Sequence, residues 1–530
     1  GKKVIDTKLG SRAAMHTHPF FEVGLDQPVS ENQGDVLMGT LGWTGNFRFT
    51  FEVDNENGLR VLSGINPYAS EYSLKPNEVF RTPEFIFTYS TEGKGKASRD
   101  FQRWARKYQL KDGEKSRMTL LNNWEATYFD FNEDKLVNIM DEAVALGVDM
   151  FLLDDGWFAN KYPRSSDHQG LGDWEETVTK LPNGIGKLVK EATDRGIKFG
   201  LWIEPEMVNK DSDLYRKHPD WILQTPGRNT SHGRYQYVLD FARKEVVDHI
   251  YGMMAKLLSE SKISYIKWDM NRSITECYSS KLPSDRQGEV FHRYILGVYD
   301  LYERLTNEFP EVLFESCASG GGRFDPGMLY YAPQGWTSDD SDAIERLKIQ
   351  YGTSYVYPIV SMGSHVSAVP NHQMHRITPI ETRTNVAYFG TFGYELDLNL
   401  LSDAEIETVK KQIAFMKEHR SLIQYGTFYR LQSPFAGNEM AWMVVSEDKK
   451  EAIVGWYRFL EPINIGYRSV RLQGLDPKLP YQISDMEMAL YGDELMQAGL
   501  IVSDVASGQN PERTMATRSV TALPSASAAL

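Results

Sequence analysis

Five short runs of this chain gather carboxylates with tryptophan, lysine or cysteine. They are Asp154-Asp155, Trp202 with Glu204, Lys267 with Asp269, Glu315 with Cys317, and Trp336 with Asp339. Any one of these acids is as well explained as a surface charge or a rim ion pair. Five runs of the same composition are hard to explain by packing. A hexose would use such a set, because its hydroxyl edges want carboxylate acceptors and its C–H faces stack on indole rings. Cleaving a glycosidic bond also needs two carboxyl groups flanking it, one to protonate the leaving oxygen and one to attack the anomeric carbon or activate water.

The elements that would position these residues are legible from about residue 117. Short β-rich runs there alternate with longer amphipathic stretches, the pattern of βα units around a parallel sheet. The strand candidates are Leu120 to Ala126, Met150 to Trp157, Lys198 to Glu206, Ser264 to Asp269, Val312 to Ala318, Gln334 to Asp339, Pro358 to His365 and Tyr388 to Asp397. Eight such strands close a (β/α)8 TIM barrel, and the residues at their C-terminal ends line its active site. A ninth candidate, Tyr235 to Phe241, reads as part of a long loop after the third strand. An open doubly wound sheet fits the alternation too, but no Gly-rich phosphate fingerprint supports it. In this count Asp269 ends the fourth strand and Asp339 the sixth. Strands about 4.8 Å apart put those backbones roughly 10 Å from each other. Side chains converging inward close to the roughly 5–5.5 Å of a retaining pair, while the wider inverting gap stays open from the residues alone.

The barrel is expected over residues 117–423. Residues 1–116 read as part of an N-terminal β-sandwich with a linking helix: Phe47, Phe49, Phe51 and Val53 alternate with polar residues, and Asn57-Gly58 offers a hairpin turn before Leu59 and Val61. The linking helix is expected over Ser98 to Tyr108, with Phe101, Trp104 and Tyr108 on one face. Residues 424–505 read as a C-terminal antiparallel β-sandwich, with strands at Met440 to Ser446, Glu451 to Tyr457 and Ser469 to Gln473. Residues 506–530, rich in Ser, Thr and Ala, are expected to be disordered. The fold class is thus α/β, a barrel flanked by two β-sandwich portions.

Composition narrows the partners. With 41% hydrophobic and 25% charged residues the chain is globular, and its net charge of -14 leaves no basic surplus for nucleic acid. No apolar run reaches membrane-spanning length, so no membrane partner is expected. Two cysteines, Cys277 and Cys317, make no disulfide framework, and Gly1-Lys2-Lys3-Val4 has no apolar signal core; the expected location is cytoplasmic. His365, His372 and His375 lack the spacing of a zinc-protease motif. They read as solvent-facing or structurally bonded, and neither metal nor cofactor is expected.

Several long motifs, in order, resemble glycoside hydrolase family 36, the bacterial α-galactosidases. They are Trp124-Glu125-Ala126 to Phe129, Leu153-Asp154-Asp155-Gly156-Trp157, Gly200-Leu201-Trp202-Ile203-Glu204-Pro205-Glu206, Ile266-Lys267-Trp268-Asp269, Glu315-Ser316-Cys317-Ala318-Ser319-Gly320-Gly321-Gly322-Arg323 and Trp336-Thr337-Ser338-Asp339-Asp340. The likeness runs to about residue 500. It implies a retaining α-galactosidase acting on α-galactoside oligosaccharides such as melibiose and raffinose, with Asp269 as nucleophile and Asp339 as acid/base. Asp340 and Asp342 compete for the second role, and Asp339 matches the motif. Asp154 and Asp155 would hold O4 and O6 of galactose, Lys267 and Arg234 would reach the ring, and Trp124, Trp202 and Trp336 would wall it. Cys317 and Gly320 would lie near O2, a motif of galactosidases and not of an N-acetylgalactosamine pocket. The resemblance further implies a homo-oligomer, tetrameric in the family, a chain that begins inside a longer N-terminal sandwich, and a C-terminal sandwich short of a strand. The alternatives are an α-N-acetylgalactosaminidase or a transglycosylase on the same scaffold, and a non-catalytic sugar-binding protein.

Overall fold

The computed structural model describes residues 1–25, 27–460, 463, 466–502 and 515–523. Its centre is a closed ring of eight parallel strands in chain order: β1 (Leu120–Asn122), β2 (Met150–Leu153), β3 (Lys198–Ile203), β4 (Tyr265–Trp268), β5 (Leu313–Ser316), β6 (Gln334–Trp336), β7 (Met362–Ser367) and β8 (Thr391–Glu395). The ring closes where Gly393 and Tyr394 of β8 pair with Leu120 and Leu121 of β1. Strands such as Met-Phe-Leu-Leu of β2 are buried at every position. A parallel strand covered on both faces requires this, and it explains why these segments read as continuous apolar runs.

The covering helices follow from the sequence just as directly. In the helix Glu133–Leu146 the buried Leu136, Ile139, Met140 and Ala143 fall at i, i+3, i+4 and i+7. The Asn132 side chain caps its start through the Lys135 N–H, and Gly147 ends it in the left-handed conformation at φ 90°. A capping box of Ser402 and Glu405 opens the last barrel helix, Asp403–Tyr425.

Seven of the eight strands are shorter than expected at their C-terminal ends; β7 instead begins four residues later than expected and runs two residues past His365. β2 stops at Leu153, β4 at Trp268 and β6 at Trp336. Asp154, Asp269 and Asp339 therefore sit on the loops that leave the ring, where the backbone is free to turn side chains toward the axis. The ninth candidate lies outside the ring. Gln236–Val238 pairs antiparallel with Met207–Asn209 in the long connection between β3 and β4.

Before the barrel, two three-stranded sheets face each other. Lys2–Asp6, Phe47–Val53 and Leu59–Ile65 form one; Phe20–Leu25, Asp35–Leu41 and Phe85–Ser90 form the other. Phe21 joins them, with its ring 5.2 Å from Phe49 and 4.9 Å from Phe51. The Asn57-Gly58 turn is closed by Asp54, whose Oδ1 accepts the N–H groups of Glu56 and Gly58. The linking helix spans Gly93–Trp104 and widens into a π-turn at Ala105–Gln109. That turn carries Tyr108 off the buried face of Phe101, so Tyr108 is 77% exposed, contrary to the shared face expected for it.

After the barrel comes a six-stranded antiparallel sheet, and here the expectation of a disordered tail fails. Met515–Ala522 is a strand, inserted between Glu451–Arg458 and Pro480–Ile483. Its sequence carries little apolar signal because its order comes from backbone pairing on both edges, with Val520 buried in the core. The rest of the tail expectation falls on residues outside those described. Ser469–Val470 is a short separate strand paired with Leu500–Ile501.

Candidate active site

The loops beyond the C-terminal ends of the strands enclose a cavity of about 160 Å³. It is lined by Trp124, Glu125, Asp154, Asp155, Trp202, Arg234, Lys267, Asp269, Asn271, Cys317, Trp336, Asp339, His372, Gln373 and Glu395. Of the candidate site residues expected from the sequence, all meet here except Glu204, Glu315 and Gly320, which do not line the cavity. Gly320 has φ +79°, and a Cβ there would fall 2.6 Å from Ser338 Cα and 2.7 Å from the Asp339 nitrogen. Only glycine lets this turn press against the backbone that carries Asp339.

The floor is built from charges on different strands of the ring. Lys267 projects from β4, and its Nζ donates to Asp154 Oδ2 at 2.8 Å, which also accepts from Asn122 Nδ2 of β1 at 2.7 Å. Burial alone would lower the Lys267 pKa, but Asp154, Glu395 and their neighbours hold the ammonium charged and raise it well above its ordinary value. Asp155 receives a fork from the buried Arg164, with Nε at 3.0 Å and Nη2 at 2.9 Å. Burial raises the Asp155 carboxyl, with Arg164 opposing.

Asp269 is held on every side. Its Oδ1 accepts the Met270 N–H at 2.8 Å, and its Oδ2 accepts Asn271 Nδ2 at 2.8 Å and Trp202 Nε1 at 3.3 Å. Burial would raise its pKa, but Lys267, the Asn271 amide, Arg234 and the Cys317 thiol together outweigh that and keep it below the usual value. Asp339 has the opposite environment. No hydrogen bond reaches its carboxyl among the described residues, and the side chain is open to the cavity although protein crowds around it. That crowding and the Asp269 charge push its pKa up to about 6, against the opposing pull of Lys267. The two carboxyls of one cavity thus titrate apart, and such a pair is suited to one nucleophile and one proton donor.

The competitors for Asp339 have other work. The Asp342 side chain caps the helix Ala343–Thr353 and pairs with Arg376. Asp340 Oδ1 accepts the Asp342 N–H, and neither residue lines the cavity. Cys317 is buried, which raises its thiol pKa well above the ordinary value, so it serves as a neutral wall and donor and not as a nucleophile. Arg234 enters from the connection between β3 and β4, where its Nη2 donates to Asp167 at 2.9 Å. Trp124 packs edge-on against Tyr128 and Phe129, and the Trp336 ring lies tilted against His365, with centroids 4.5 Å apart.

Five lining residues were not expected in the site: Glu125, Asn271, Gln373, Glu395 and His372, the last read as solvent-facing or structurally bonded. Glu125 lies inside a quoted motif, Asn271 follows Asp269 by two residues, and Glu395 ends β8; each was findable as one more strand-end polar group. His372 and Gln373 had no such signal, because they sit on the loop after the cis Val369–Pro370 bond. His372 Nδ1 lies 3.1 Å from Glu125 Oε1, and His365 Nδ1 3.1 Å from Glu395 Oε2. Conversely, Glu204 and Glu315 stand behind the cavity. Glu204 accepts the Asn271 N–H at 2.7 Å and Gln236 Nε2 at 3.0 Å, and burial together with Asp269 lifts its pKa to about 8. Glu315 accepts Gln334 Nε2 at 2.7 Å within the barrel.

The N-terminal sandwich also touches this machinery. Arg12 Nη1 donates to Ser319 Oγ at 2.7 Å, Ser319 Oγ donates to Asn271 Oδ1 at 2.9 Å, and Asn271 in turn donates to Asp269.

Three family matches tile the chain. The glycosyl hydrolase family 36 N-terminal domain covers residues 1–75, Melibiase residues 79–426, and the glycosyl hydrolase family 36 C-terminal domain residues 439–512. Alpha-galactosidase AgaA of Geobacillus stearothermophilus is 49% identical over 491 residues, spanning 92% of this chain and 67% of its own. Crystal structures of AgaA variants with raffinose and with stachyose superpose with a TM-score of 0.94 at 46% identity, covering 99% of this chain and 72% of theirs. The alpha-galactosidase of Lactobacillus brevis superposes with a TM-score of 0.95 at 48% identity, covering 99% of this chain and 71% of its own.

Proposed function

The chain belongs to glycosyl hydrolase family 36, and from that membership we propose that it is a retaining α-galactosidase releasing terminal α-D-galactosyl residues from oligosaccharides of the raffinose type. The observation that carries the mechanism is two carboxyls lining one cavity in opposite surroundings, Asp269 fixed by three hydrogen bonds and Asp339 with none among the described residues; Asp269 is thereby held below its ordinary pKa and Asp339 pushed up to about 6.

In the first step Asp269 attacks the anomeric carbon while Asp339 gives its proton to the glycosidic oxygen. The C–O bond breaks, the alcohol leaves, and a galactosyl ester on Asp269 remains. In the second step Asp339, now a carboxylate, takes a proton from water as its oxygen attacks the same carbon and Asp269 departs. Two inversions give net retention. Asp154 and Asp155 accept from the O4 and O6 hydroxyls, Lys267 and Arg234 supply donors around the ring, and Trp124, Trp202 and Trp336 face its C–H surfaces. Cys317 forms part of the cavity wall, the position expected beside O2, and a galactoside is the substrate proposed in place of an acetamido sugar.

Comparing p-nitrophenyl α-D-galactopyranoside with the corresponding N-acetylgalactosaminide tests the substrate directly. Turnover of the galactoside alone is expected; preference for the acetamido sugar would overturn the assignment. Self-association of the chain is supported by Phe87 and Tyr89, 61% and 52% exposed on the edge strand Phe85–Ser90. The cytoplasmic location proposed here rests on two free cysteines, Cys277 and Cys317.

A further inference from the structure

Away from the active site, the linking helix carries Lys96, Arg99 and Arg103 at spacings of three and four, so these project from one face, and the π-turn that follows brings Arg106 to the same groove. A cationic stripe of this kind usually faces open solvent. Here it lines a groove of about 300 Å³, whose other walls are Pro358 and Ile359 of the barrel and Thr427 to Tyr429 of the C-terminal sheet. No carboxylate lines that groove, in a chain whose net charge is -14.

The nearby acids do not balance these cations. Asp100 is shared between Lys96 at 2.6 Å and Arg103 at 2.7 Å. Glu114 is 3.8 Å from Arg106 and itself 62% exposed. Arg430 does not relieve the excess, because it brings its own positive charge and is matched by Glu31 at 3.0 and 3.1 Å. The Arg99 guanidinium has neither an ion pair nor a hydrogen bond among the described residues and lies over the Tyr429 ring at 4.5 Å. Arg106 donates through Nη1 to the Tyr425 carbonyl, while its Nε is buried without a hydrogen bond and has only Glu114 nearby. A partly buried guanidinium without a matching anion, as at Arg99, is costly, and the planar forks of Arg99, Arg103 and Arg106 fit a phosphoryl group in particular.

We propose that this groove binds a small molecule bearing a phosphoryl group, seated among Arg99, Arg103 and Arg106 with Lys96 at the rim. Three parts of the chain wall the groove, so the ligand ties them together and stabilises the folded protein by mass action. The site is independent of the hydrolytic cavity.

The test is thermal unfolding of the whole chain titrated with inorganic phosphate, with a hexose monophosphate, and with sodium chloride at matched ionic strength. A saturable rise in Tm with both phosphates, absent with chloride, is expected. A lower midpoint for the hexose phosphate would identify an ester as the occupant, and equal midpoints would identify phosphate itself. The double variant Arg99→Gln/Arg103→Gln should weaken the midpoint at least about tenfold while hydrolysing galactoside at the original rate, which also proves it folded. Lys96→Gln, at the rim, should weaken it by a smaller factor and serves as the reporter should the double variant fail to fold. No saturable shift beyond chloride, or an unchanged midpoint in a folded variant, would overturn the proposal.

Discussion

Asp269 and Asp339 differ in what surrounds them, and the difference sets the pH behaviour of the reaction. Asp339 must carry its proton to serve the leaving oxygen, so kcat/KM is expected to be full below about 6 and to fall as pH rises through that value. Asp269 must be ionised, so the acid limb lies below the ordinary carboxylate range. The pair titrates as a unit, and the two limbs are its apparent constants. A profile that stays level from pH 5 to pH 8 would contradict this assignment. Replacing Asp339 by Asn removes general acid catalysis, a loss of about 10²–10⁴ in kcat on an alkyl galactoside such as melibiose. The loss in the first step should be much smaller with p-nitrophenolate, which leaves without a proton; equal losses on both substrates would argue against Asp339 as the acid. In the sequence, Asp339 stood beside Asp340 and Asp342 with only a motif to choose among them. The choice becomes physical once Asp342 is seen capping a helix and Asp340 receiving its backbone N–H.

At the scale of elements, barrel strands announce themselves because parallel strands buried on both faces must be apolar throughout. Their ends do not, since Asp154-Asp155 or Thr337-Ser338-Asp339 prolong a strand-like run past the last ladder bond. The tail strand Met515–Ala522 was illegible for the opposite reason: its neighbours on both edges order it, and its own side chains scarcely signal. Turns that shape the site are equally hidden until their contacts are known. Gly320→Ala forces a left-handed residue to carry a Cβ 2.6 Å from Ser338 Cα. Displacing Asp339 by this route is expected to cost about 10²-fold in kcat with far-UV circular dichroism unchanged. A near-normal rate would mean that the Ser319–Gly320 turn does not set the position of Asp339.

Across the whole molecule, the barrel is not self-sufficient in orienting its nucleophile. The relay from Arg12 through Ser319 and Asn271 to Asp269 begins in the N-terminal sandwich. None of this was legible in the sequence, because Arg12 and Asp269 are joined only by folding. A hydrogen bond involving a charged group contributes about 1.5–3 kcal/mol, and its loss from a positioning relay corresponds to roughly ten- to a hundredfold in rate. Arg12→Ala is therefore expected to lower kcat by about that factor with little change in KM. The acid limb should move up as Asp269 loses its ordered amide partner, and Arg12→Lys should recover part of the rate. Loss of stability alone, with kcat and pH profile intact in the folded fraction, would reduce Arg12 to a domain tether.

The central claim is that these two aspartates carry out a double displacement. Following hydrolysis of p-nitrophenyl α-D-galactopyranoside by proton NMR, before mutarotation scrambles the product, tests it in one experiment. α-Galactose appearing first is the predicted result. β-Galactose appearing first would mean direct attack by water, and Asp269 could not then be the nucleophile.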